Sequence, residues 1–518
     1  MTGTADEEAS ASLGAEMQEV AAPSGKKDFT EDMETCDAII AALAERGEDY
    51  NLENYEPIQV HVMNPGTKKT TTYTLQTHLG SGNYGSVFHA KSENGECAIK
   101  FSTPGDPNNS QINERDRLLE IQKTGAQPAN VVRMFDHGNM TFVVNEGAPK
   151  KAESSPPCLV LEYYKDGDLY DKIGKKLENG EDWTRGELSE KKHQAERQVV
   201  KQVLTAVNGV HERKTAHLDI KWDNFLSNDV VPDGTPTNED PLNWILCLAD
   251  FGFAQEVPKT GRNRPLMGDG GNPRFQAPEV MSKMWYSEKA DMWSVGIMIF
   301  QLLYTSGNTD MIEPFMFGVA GIGFDFDGYG NPHQASNVIA DVQASRAAYT
   351  FLQTLDVDNF NYTIDSLLEK RLSQLAETDP KTEFLRSFRN EMKNTTNVEE
   401  DPQAPLKHLL KNLLCCEDKR WSAAKALAYL SRVGKTITPG GYTLIDVEGD
   451  DPSEFKYVAK QHPLDDTKYF VTIRERAGKS TPAPNDAEKW VPSADGSEEY
   501  LITQQRAVCC SPLSWFTC

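Results

Sequence analysis

The chain has 518 residues, and its 78 Asp and Glu residues outnumber its 53 Lys and Arg residues, which gives a formal net charge of −25 at pH 7. This balance argues against general nucleic-acid binding, which requires a basic surface, and against adhesion to anionic lipid. Hydrophobic residues make up 38% of the chain, which is enough for a sizeable core.

Before residue 166 the sequence predicts an antiparallel sheet with one helix. A separate helix is predicted at residues 29–46, within a partly disordered N-terminal extension of residues 1–68. Runs of β-branched and aromatic residues bounded by turn residues are typical of strands. The strands are predicted at residues 58–62, 70–79, 88–90, 97–101, 131–135, 141–145 and 158–162, and the helix that follows the fourth strand at 112–123.

From residue 166 the apolar pattern changes to a helical period. The predicted helices are residues 188–211, 292–304, 337–355, 362–375, 382–393, 406–415 and 423–433. A large insert, at about 307–401, interrupts this part. Residues 436–518 form a polar C-terminal extension with strand-like runs at 442–447 and 469–473. The outline is therefore a small β-rich part, residues 69–165, and a larger helical part, residues 166–435, joined by a hinge near 162–167.

The cysteines indicate a reducing compartment, and the apolar runs bear on secretion and on membrane spanning. The nine cysteines are an odd number without C-x-x-C spacing, as expected of free thiols. The first 25 residues have no apolar signal core. The longest apolar run, residues 292–304, is too short to span a bilayer. We therefore expect a cytoplasmic protein with no transmembrane segment and no nucleic-acid partner.

A glycine-rich segment, LGSGNYGSV, occupies residues 79–87. Glycines allow a sharp turn and a close approach of the backbone to phosphates, because no Cβ intervenes. A strand follows these glycines, whereas a dinucleotide-binding loop would open a helix, so the pattern excludes that fold. On its own the segment is equally compatible with an ordinary hairpin turn.

Six further motifs follow in the chain. They are CAIK at 97–100, HLDIKWDN at 217–224, DFG at 250–252, GNPRFQAPE at 271–279, Asp291 in KADMWSVG, and Arg420 in EDKRW. Together with the glycine-rich segment they resemble the eukaryotic protein kinase superfamily over roughly residues 70–433. This resemblance implies an α+β, bilobal fold, with a small antiparallel sheet and one helix in the N-lobe and a mainly helical C-lobe.

The resemblance implies a role in phosphoryl transfer for five residues. Asp219 is expected to accept the proton of the substrate hydroxyl, and Lys221 to contact the transferring phosphoryl group. Asn224 and Asp250 are expected to hold Mg²⁺. Lys100 is expected to contact the α- and β-phosphates of ATP.

The pattern offers two carboxylates that could orient Lys100. Glu114 lies 14 residues on and Glu120 lies 20 residues on. We favour Glu114, because Leu118 supplies an apolar residue one turn later, where the family packs one. Thr124 would take that place after Glu120, which remains the alternative.

The resemblance also implies a nucleotide site, with ATP and Mg²⁺ as cofactors. Backbone groups of Glu162 and Tyr164 are expected to meet the adenine beside the gatekeeper Leu161, and Asp168 to reach the ribose. The phosphates are expected under the glycine loop. The implied residues of the loop are Gly80, Gly82 and Gly85, and those that enclose the adenine are Leu79, Val87, Ala98 and Leu226.

The motifs depart from the family at several positions. Leu218 replaces an arginine that normally grips a phosphate on the activation loop. Thr260 is the only hydroxyl residue between Asp250 and Glu279, so we expect activity without phosphorylation of this loop. Trp222 replaces the usual proline of the catalytic loop.

Two other features bear on specificity and regulation. Asn272 replaces the family's usual threonine, and its side chain is expected to bridge Asp219 and Lys221. Lys221 itself favours Ser/Thr over Tyr substrates.

Within the insert, residues 325–331 suggest calcium ligands only faintly, because the EF-hand pattern is absent. Docking of a regulatory partner at 307–401 is a looser expectation.

Asp291 and Arg420 are expected to be structural rather than catalytic. Asp291 should brace the catalytic loop, and Arg420 should pair with Glu279.

A Ser/Thr protein kinase is the favoured interpretation, because none of the catalytic residues is replaced. A pseudokinase that serves as an ATP-binding scaffold is one alternative, and a small-molecule kinase on the same fold is the other.

Overall fold

The computed structural model describes residues 58–82, 85–102, 110–123, 125–143, 157–178, 183, 191–229, 241–258, 271–272, 274–281, 285–304, 362–378, 380–394, 401–437, 440–461, 467–475, 490–493, 495 and 497–504. These residues form an α+β structure, as the sequence predicts.

Six antiparallel strands form the first part. They are β1 (Gln59–Met63), β2 (Thr70–Gly82), β3 (Gly85–Ser92), β4 (Gly95–Ser102), β5 (Met134–Val143) and β6 (Pro157–Leu161). Their order is β1-β2-β3-β4-β6-β5, and β1 also pairs with β5. Helix α1 (Ser110–Lys123) connects β4 to β5. Between the strands lies an apolar cluster that includes Val60, Phe88, Ile99 and Phe142.

The prediction of two strands at 131–135 and 141–145 is wrong. A single strand, Met134–Val143, spans the end of the first predicted strand and the start of the second. The strand continues through the polar residues between them, with a register shift near Asp136. A Cβ at Gly138 would collide with the backbone oxygen of Met63. Glycine therefore serves the close approach of β1 here rather than a turn.

The helical part begins with a five-residue π-helix, Tyr170–Gly174, and continues with α2 (Lys175–Glu178) and α3 (Lys192–His211). Short strands follow: β7 (Thr215–Ala216), β8 (Phe225–Asp229), β9 (Trp244–Leu248) and β10 (Gln255–Glu256). The later helices are α4 (Pro278–Met281), α5 (Lys289–Tyr304), α6 (Ile364–Gln374), α7 (Pro380–Asn394), α8 (Ala404–Leu413) and α9 (Ala423–Arg432).

Sequence explains where these helices lie. Helix α3 buries an apolar stripe against the core. Helix α5 is buried on all sides from Ala290 to Leu302, which matches its almost unbroken apolar run. Helix α9 begins after Ser422, whose Oγ accepts a hydrogen bond from the Lys425 backbone at 3.3 Å.

A six-stranded antiparallel sheet follows α9. Its strands are β11 (Thr436–Ile437), β12 (Tyr442–Glu448), β13 (Lys456–Lys460), β14 (Tyr469–Glu475), β15 (Trp490–Pro492) and β16 (Glu498–Gln504), in the order β11-β12-β13-β14-β16-β15. Leu444, Val447, Ala459 and Val471 belong to the same apolar core as the helices. The sheet therefore packs on the helical part, where the sequence indicated only two strand-like runs.

Within the described ranges, no helix is both long enough and apolar enough to cross a membrane.

Candidate active site

Lys100 lies in a network of three ionisable groups, of which Lys100 and Glu114 are buried. It is carried by β4, and its Nζ lies 2.7 Å from Oε2 of Glu114 on α1 and 3.0 Å from Oδ1 of Asp250. Glu120, the alternative partner, is exposed and pairs instead with Lys123, at 2.7 Å. The ion pair that the structure forms is therefore the one favoured from sequence.

Mutual attraction keeps Lys100 and Asp250 charged. Burial alone would lower the pKa of Lys100, but the carboxylates of Asp250 and Glu114 raise it above the ordinary lysine value. Burial alone would raise the pKa of Asp250, but the Lys100 ammonium outweighs burial and lowers it. An ammonium group and a carboxylate thus face each other at neutral pH.

Asp291, at the start of α5, braces the segment that carries the other predicted catalytic residues. Its carboxylate accepts hydrogen bonds from the backbone nitrogens of His217 and Leu218, both at 2.7 Å, and from His211 Nε2 at 2.9 Å. Leu218 has φ of 65°, a left-handed conformation that costs a non-glycine residue about 1–2 kcal/mol. The hydrogen bonds from Asp291 help to hold it.

Burial alone would raise the pKa of Asp291. The hydrogen bond and charge of His211 outweigh burial and lower the pKa below the ordinary aspartate value. Asp291 is therefore a carboxylate acceptor at neutral pH, as the two backbone N–H groups require.

Asp219, Lys221 and Asn224 meet on this braced segment. Asn224 Nδ2 donates to the backbone oxygen of Asp219 at 2.6 Å and to its Oδ2 at 2.8 Å. Lys221 Nζ lies 3.3 Å from the same Oδ2. Burial would lower the pKa of Lys221, but Asp219 raises it. The structure therefore brings a carboxylate, an ammonium and an amide together at one point.

Asn272 reaches Asp219 through its backbone, not through its side chain. Its backbone nitrogen donates to Oδ1 of Asp219 at 3.0 Å, whereas its own Oδ1 accepts from the Arg274 backbone at 3.0 Å. The expected side-chain bridge to Asp219 and Lys221 is therefore wrong. Gly271 explains the close approach, because a Cβ there would collide with the backbone of Leu218 and with Asp219.

The glycine-rich segment is a hairpin between β2 and β3. Gly80 pairs with Val87, and Gly82 pairs with Gly85. A Cβ at Gly85 would collide with the backbone oxygen of Phe101, so a larger residue cannot occupy that position without a shift. A Cβ at Gly80 would face open space. Gly85 thus permits a close strand contact, and Gly80 leaves space beside the hairpin.

The residues predicted to enclose an adenine lie on neighbouring strands. Val87 is the ladder partner of Lys100, and Ala98 lies two residues before Lys100, so all three project from one face of the sheet. Ala98 is buried, while Val87 and Leu226 are half-buried and Leu79 is exposed. An apolar surface therefore adjoins Lys100.

The hinge residues follow β6. The backbone nitrogen of Glu162 donates to the Arg133 oxygen at 2.9 Å. Tyr164 is half-buried, and burial raises the pKa of its phenol. Asp168 forms an isolated bridge to Leu226, and burial raises the pKa of its carboxyl group. The hinge thus passes next to β8, which carries the predicted floor of the adenine site.

Residues 73–310 match the family model described as protein kinase domain. The chain contains a eukaryotic-type protein kinase domain. The match includes every predicted catalytic, nucleotide-binding and magnesium-binding residue. It ends before α6, so the last four helices and the C-terminal sheet lie outside the matched region.

Known relatives of the kinase domain carry kinase names. The chain is 28% identical over 243 residues to the DNA damage response protein kinase DUN1 of Saccharomyces cerevisiae, which covers 45% of this chain and 42% of DUN1. It is 28% identical over 242 residues to the serine/threonine-protein kinase ULK3 of Homo sapiens, covering 46% and 43%. It is also 28% identical to the CBL-interacting serine/threonine-protein kinase 5 of Arabidopsis thaliana, covering 45% and 44%. The chain thus spans less than half the length of these relatives.

Arg420 and Glu279 form a buried ion pair within the helical part of the kinase structure. Arg420 Nη1 donates to Oε1 of Glu279, and Nη2 lies 3.3 Å from Oε2. Arg420 Nη2 also donates to the Cys415 oxygen at 2.9 Å. Burial would lower the pKa of Arg420, but Glu279 raises it. This pair joins α4 to the segment before α9.

Sequence reasoning missed two contacts of the kinase site. Asn113 Nδ2 donates to the oxygens of Gly252 and Ala254, at 2.8 and 2.9 Å. Trp222 Nε1 donates to Oε1 of Gln301 at 2.8 Å. Two features of the sequence could have pointed to these contacts: an amide residue directly before Glu114, and a single glutamine inside the apolar run of α5. Neither feature indicates which residue the side chain contacts.

Several predictions concern residues outside the described ranges. They are the helices at 29–46 and 337–355, Thr260, and the calcium-like residues 325–331. Each of these remains a prediction.

Proposed function

We propose that the chain is a Ser/Thr protein kinase with a bilobal kinase fold, which transfers the γ-phosphoryl group of ATP to protein hydroxyls. One observation carries the proposal: Asp219 lies in hydrogen-bond contact with Asn224 and beside Lys221, while Asp250 pairs with Lys100. Each ionic group of phosphoryl transfer thus has a neighbour that orients it.

Asp219 is the proposed base. Asn224 and the Asn272 backbone hold its carboxylate from two sides, which aims a free lone pair at the proton of an incoming hydroxyl. Lys221, whose raised pKa keeps it cationic, would stabilise negative charge on the transferring group.

The oxygen atoms near Asp250 fit a magnesium ion. Among the described residues, no donor reaches Oδ1 of Asn224 or Oδ2 of Asp250, and amide and carboxylate oxygens are ligands that Mg²⁺ prefers. Nor do these residues contain a cluster of three His, Cys, Asp or Glu side chains suited to a metal. Asn224 and Asp250 would therefore hold the ion jointly with the phosphates of ATP. Bound Mg²⁺ neutralises phosphate charge.

The apolar face beside Lys100 supports adenine binding. Val87 and Ala98 would cover one face of the ring, Leu226 the other, and Leu79 the edge of the site. Backbone groups of Glu162 and Tyr164 would form hydrogen bonds with the base, and the Asp168 carboxylate would form a hydrogen bond with the ribose. The glycine hairpin, with Gly80, Gly82 and Gly85, would then lie over the phosphates.

Location and regulation are further proposals. The composition and the free cysteines favour a cytoplasmic protein. The insert at about 307–401 is long enough to dock a regulatory partner.

The test is transfer of labelled phosphate from ATP·Mg²⁺ to the protein itself and to general protein substrates. Lys100→Met and Asp250→Asn should abolish transfer, whereas Glu120→Gln, a change of an exposed carboxylate on the same helix as Glu114, should not. A matched set of peptides with Ser, Thr or Tyr as the only hydroxyl tests the substrate class.

Other outcomes would overturn the proposal. ATP binding in a thermal-shift assay without transfer would favour the pseudokinase scaffold. ATP consumption without label on any protein would favour a small-molecule kinase. Tyr labelling alone would contradict the Ser/Thr assignment drawn from Lys221.

A further inference from the structure

Two adjoining cavities lie where α3, α9 and the C-terminal sheet meet. Their volumes are about 420 and 390 Å³, and both are lined by Lys201, Ser431 and Lys435. None of the proposed catalytic or nucleotide-binding residues lines either cavity. The two cavities therefore adjoin through shared lining residues and lie apart from the proposed kinase site.

The first cavity is basic in a strongly acidic chain. Arg197, Lys201 and Lys435 line it, and no carboxylate does. Arg197 Nη2 donates to the backbone oxygens of Leu430 and Val433, each at 3.4 Å. No described carboxylate forms an ion pair with any of the three cations. Burial lowers the pKa of Arg197, and only the phenol of Tyr429 opposes this effect. Arg197 and Lys201 therefore carry positive charge that no ion pair with a described carboxylate neutralises.

The second cavity contains carboxylates, but they are already engaged. Glu498 pairs with Arg432 at 2.6 Å. Asp495 accepts hydrogen bonds from the hydroxyl groups of Ser493 and Ser497, at 2.6 and 2.7 Å. The charge of Lys435 lowers the pKa of Glu498. Glu498 therefore balances part of the Lys435 charge. The uncompensated charge thus lies mainly on the α3 side.

The spacing of the α3 side chains suits an extended peptide. Arg197 and Lys201 lie four residues apart on α3, about 6 Å along the helix, whereas His193, one turn earlier, already contacts Glu196 at 3.2 Å. Every second side chain of an extended strand recurs at about 6.8 Å. Pro405 and Leu430 add an apolar wall to the same cavity. An extended segment with an acidic residue at every second position would place successive carboxylates next to Arg197 and Lys201.

We propose that this basic groove, defined by Arg197, Lys201 and Lys435, docks an extended acidic segment of a partner protein. The net charge of −25 does not prevent this, because at physiological salt charges more than about 8 Å away are largely screened. The local cations therefore decide what binds, and salt should weaken the complex.

Direct binding of a synthetic peptide tests the proposal independently of phosphoryl transfer. The probe is a labelled ten-residue peptide with Glu at every second position and Ala between, so that it carries no substrate hydroxyl, measured by fluorescence anisotropy on the full chain. The first control peptide has Gln for each Glu. The second has the same number of Glu in one block, which tests the spacing.

Charge reversal should locate the site. Lys201→Glu combined with Lys435→Glu should weaken binding of the alternating peptide about tenfold or more. Lys69→Glu makes the same kind of change on an exposed lysine next to β2, and should leave affinity unchanged. Thermal unfolding of each variant checks the fold, and Lys201→Gln with Lys435→Gln is a milder pair.

Three results would overturn the proposal. They are no binding of the alternating peptide to the wild type, equal binding of the Gln peptide, and equal binding by the double variant. Competition by inorganic phosphate beyond its ionic-strength effect would indicate a small-anion site and reject the peptide occupant. A kinase that fails to transfer phosphate but binds the peptide would leave this inference intact.

Discussion

Asn113 holds the segment that follows Asp250 through two hydrogen bonds. Its Nδ2 donates to the backbone oxygens of Gly252 and Ala254, at 2.8 and 2.9 Å. The next residue of α1, Glu114, accepts a hydrogen bond from the Phe251 backbone at 3.3 Å. Two successive residues of α1 therefore hold this segment in register with the Lys100 network. The contact uses only groups of the chain and needs no phosphate.

Asn113→Ala should slow phosphoryl transfer about tenfold. Two hydrogen bonds of about 0.5–1.5 kcal/mol each are lost, and about 1.4 kcal/mol corresponds to a factor of ten in rate. We expect kcat to fall more than the KM for ATP, because Asn113 positions the segment and contacts no substrate. Steady-state rates against both substrates separate the two effects.

Asn113→Asp distinguishes hydrogen bonding from packing. The two side chains have almost the same size, but aspartate presents acceptors to two carbonyl oxygens, so it should be at least as harmful as alanine. Ile112→Ala, at an exposed residue on the same helix, is the control. A fully active Asn113→Asp variant would disprove the positioning role.

Glu114→Gln should lower the transfer rate about thirtyfold. The carboxylate is buried 2.7 Å from Lys100 Nζ, and a hydrogen bond between charged groups contributes about 2 kcal/mol. Glu120→Gln should change little, because exposed pairs such as Glu120–Lys123 contribute below about 1 kcal/mol. Rates for the two variants, measured side by side, settle which glutamate serves Lys100. A larger loss from Glu120→Gln would reverse the assignment.

Thr260→Ala should retain activity within about twofold. A phosphate on the activation loop acts by pairing with an arginine, but the family's arginine is replaced here by Leu218, which is 6% exposed and hydrogen-bonded to Asp291. The wild type before and after phosphatase treatment provides the matched comparison. Loss of turnover in a folded Thr260→Ala protein would show that loop phosphorylation is required.

The sequence predicts local elements and ordered motifs better than it predicts contacts between distant residues. The pairing of Lys100 with Glu114 could be favoured because both the lysine strand and the helix after it have clear patterns. The contact of Trp222 with Gln301 joins positions 79 residues apart. No periodicity specifies such a pair, because it depends on how α5 packs beneath the loop.

The C-terminal sheet illustrates the same limit. Its strands β15 and β16 are reversed relative to chain order, and β15 has only three residues. Short, half-buried strands give weak alternation, so only β12 and β14 could be recognised. The burial of β12 against α9 arises from tertiary packing.

Trp222→Phe should destabilise the fold by about 1–3 kcal/mol, because the indole is 2% exposed and donates to Gln301 Oε1 at 2.8 Å. Gln301→Leu should also destabilise, and the double variant should lose about 1 kcal/mol less than the sum, which is the coupling through the hydrogen bond. Trp285→Phe, at a site 55% exposed, is the matched control, expected within about 0.5 kcal/mol of the wild type. Urea unfolding of the four proteins gives the cycle. Strict additivity would mean that the hydrogen bond does not tie the catalytic loop to α5, and that Trp222 stabilises it through packing alone.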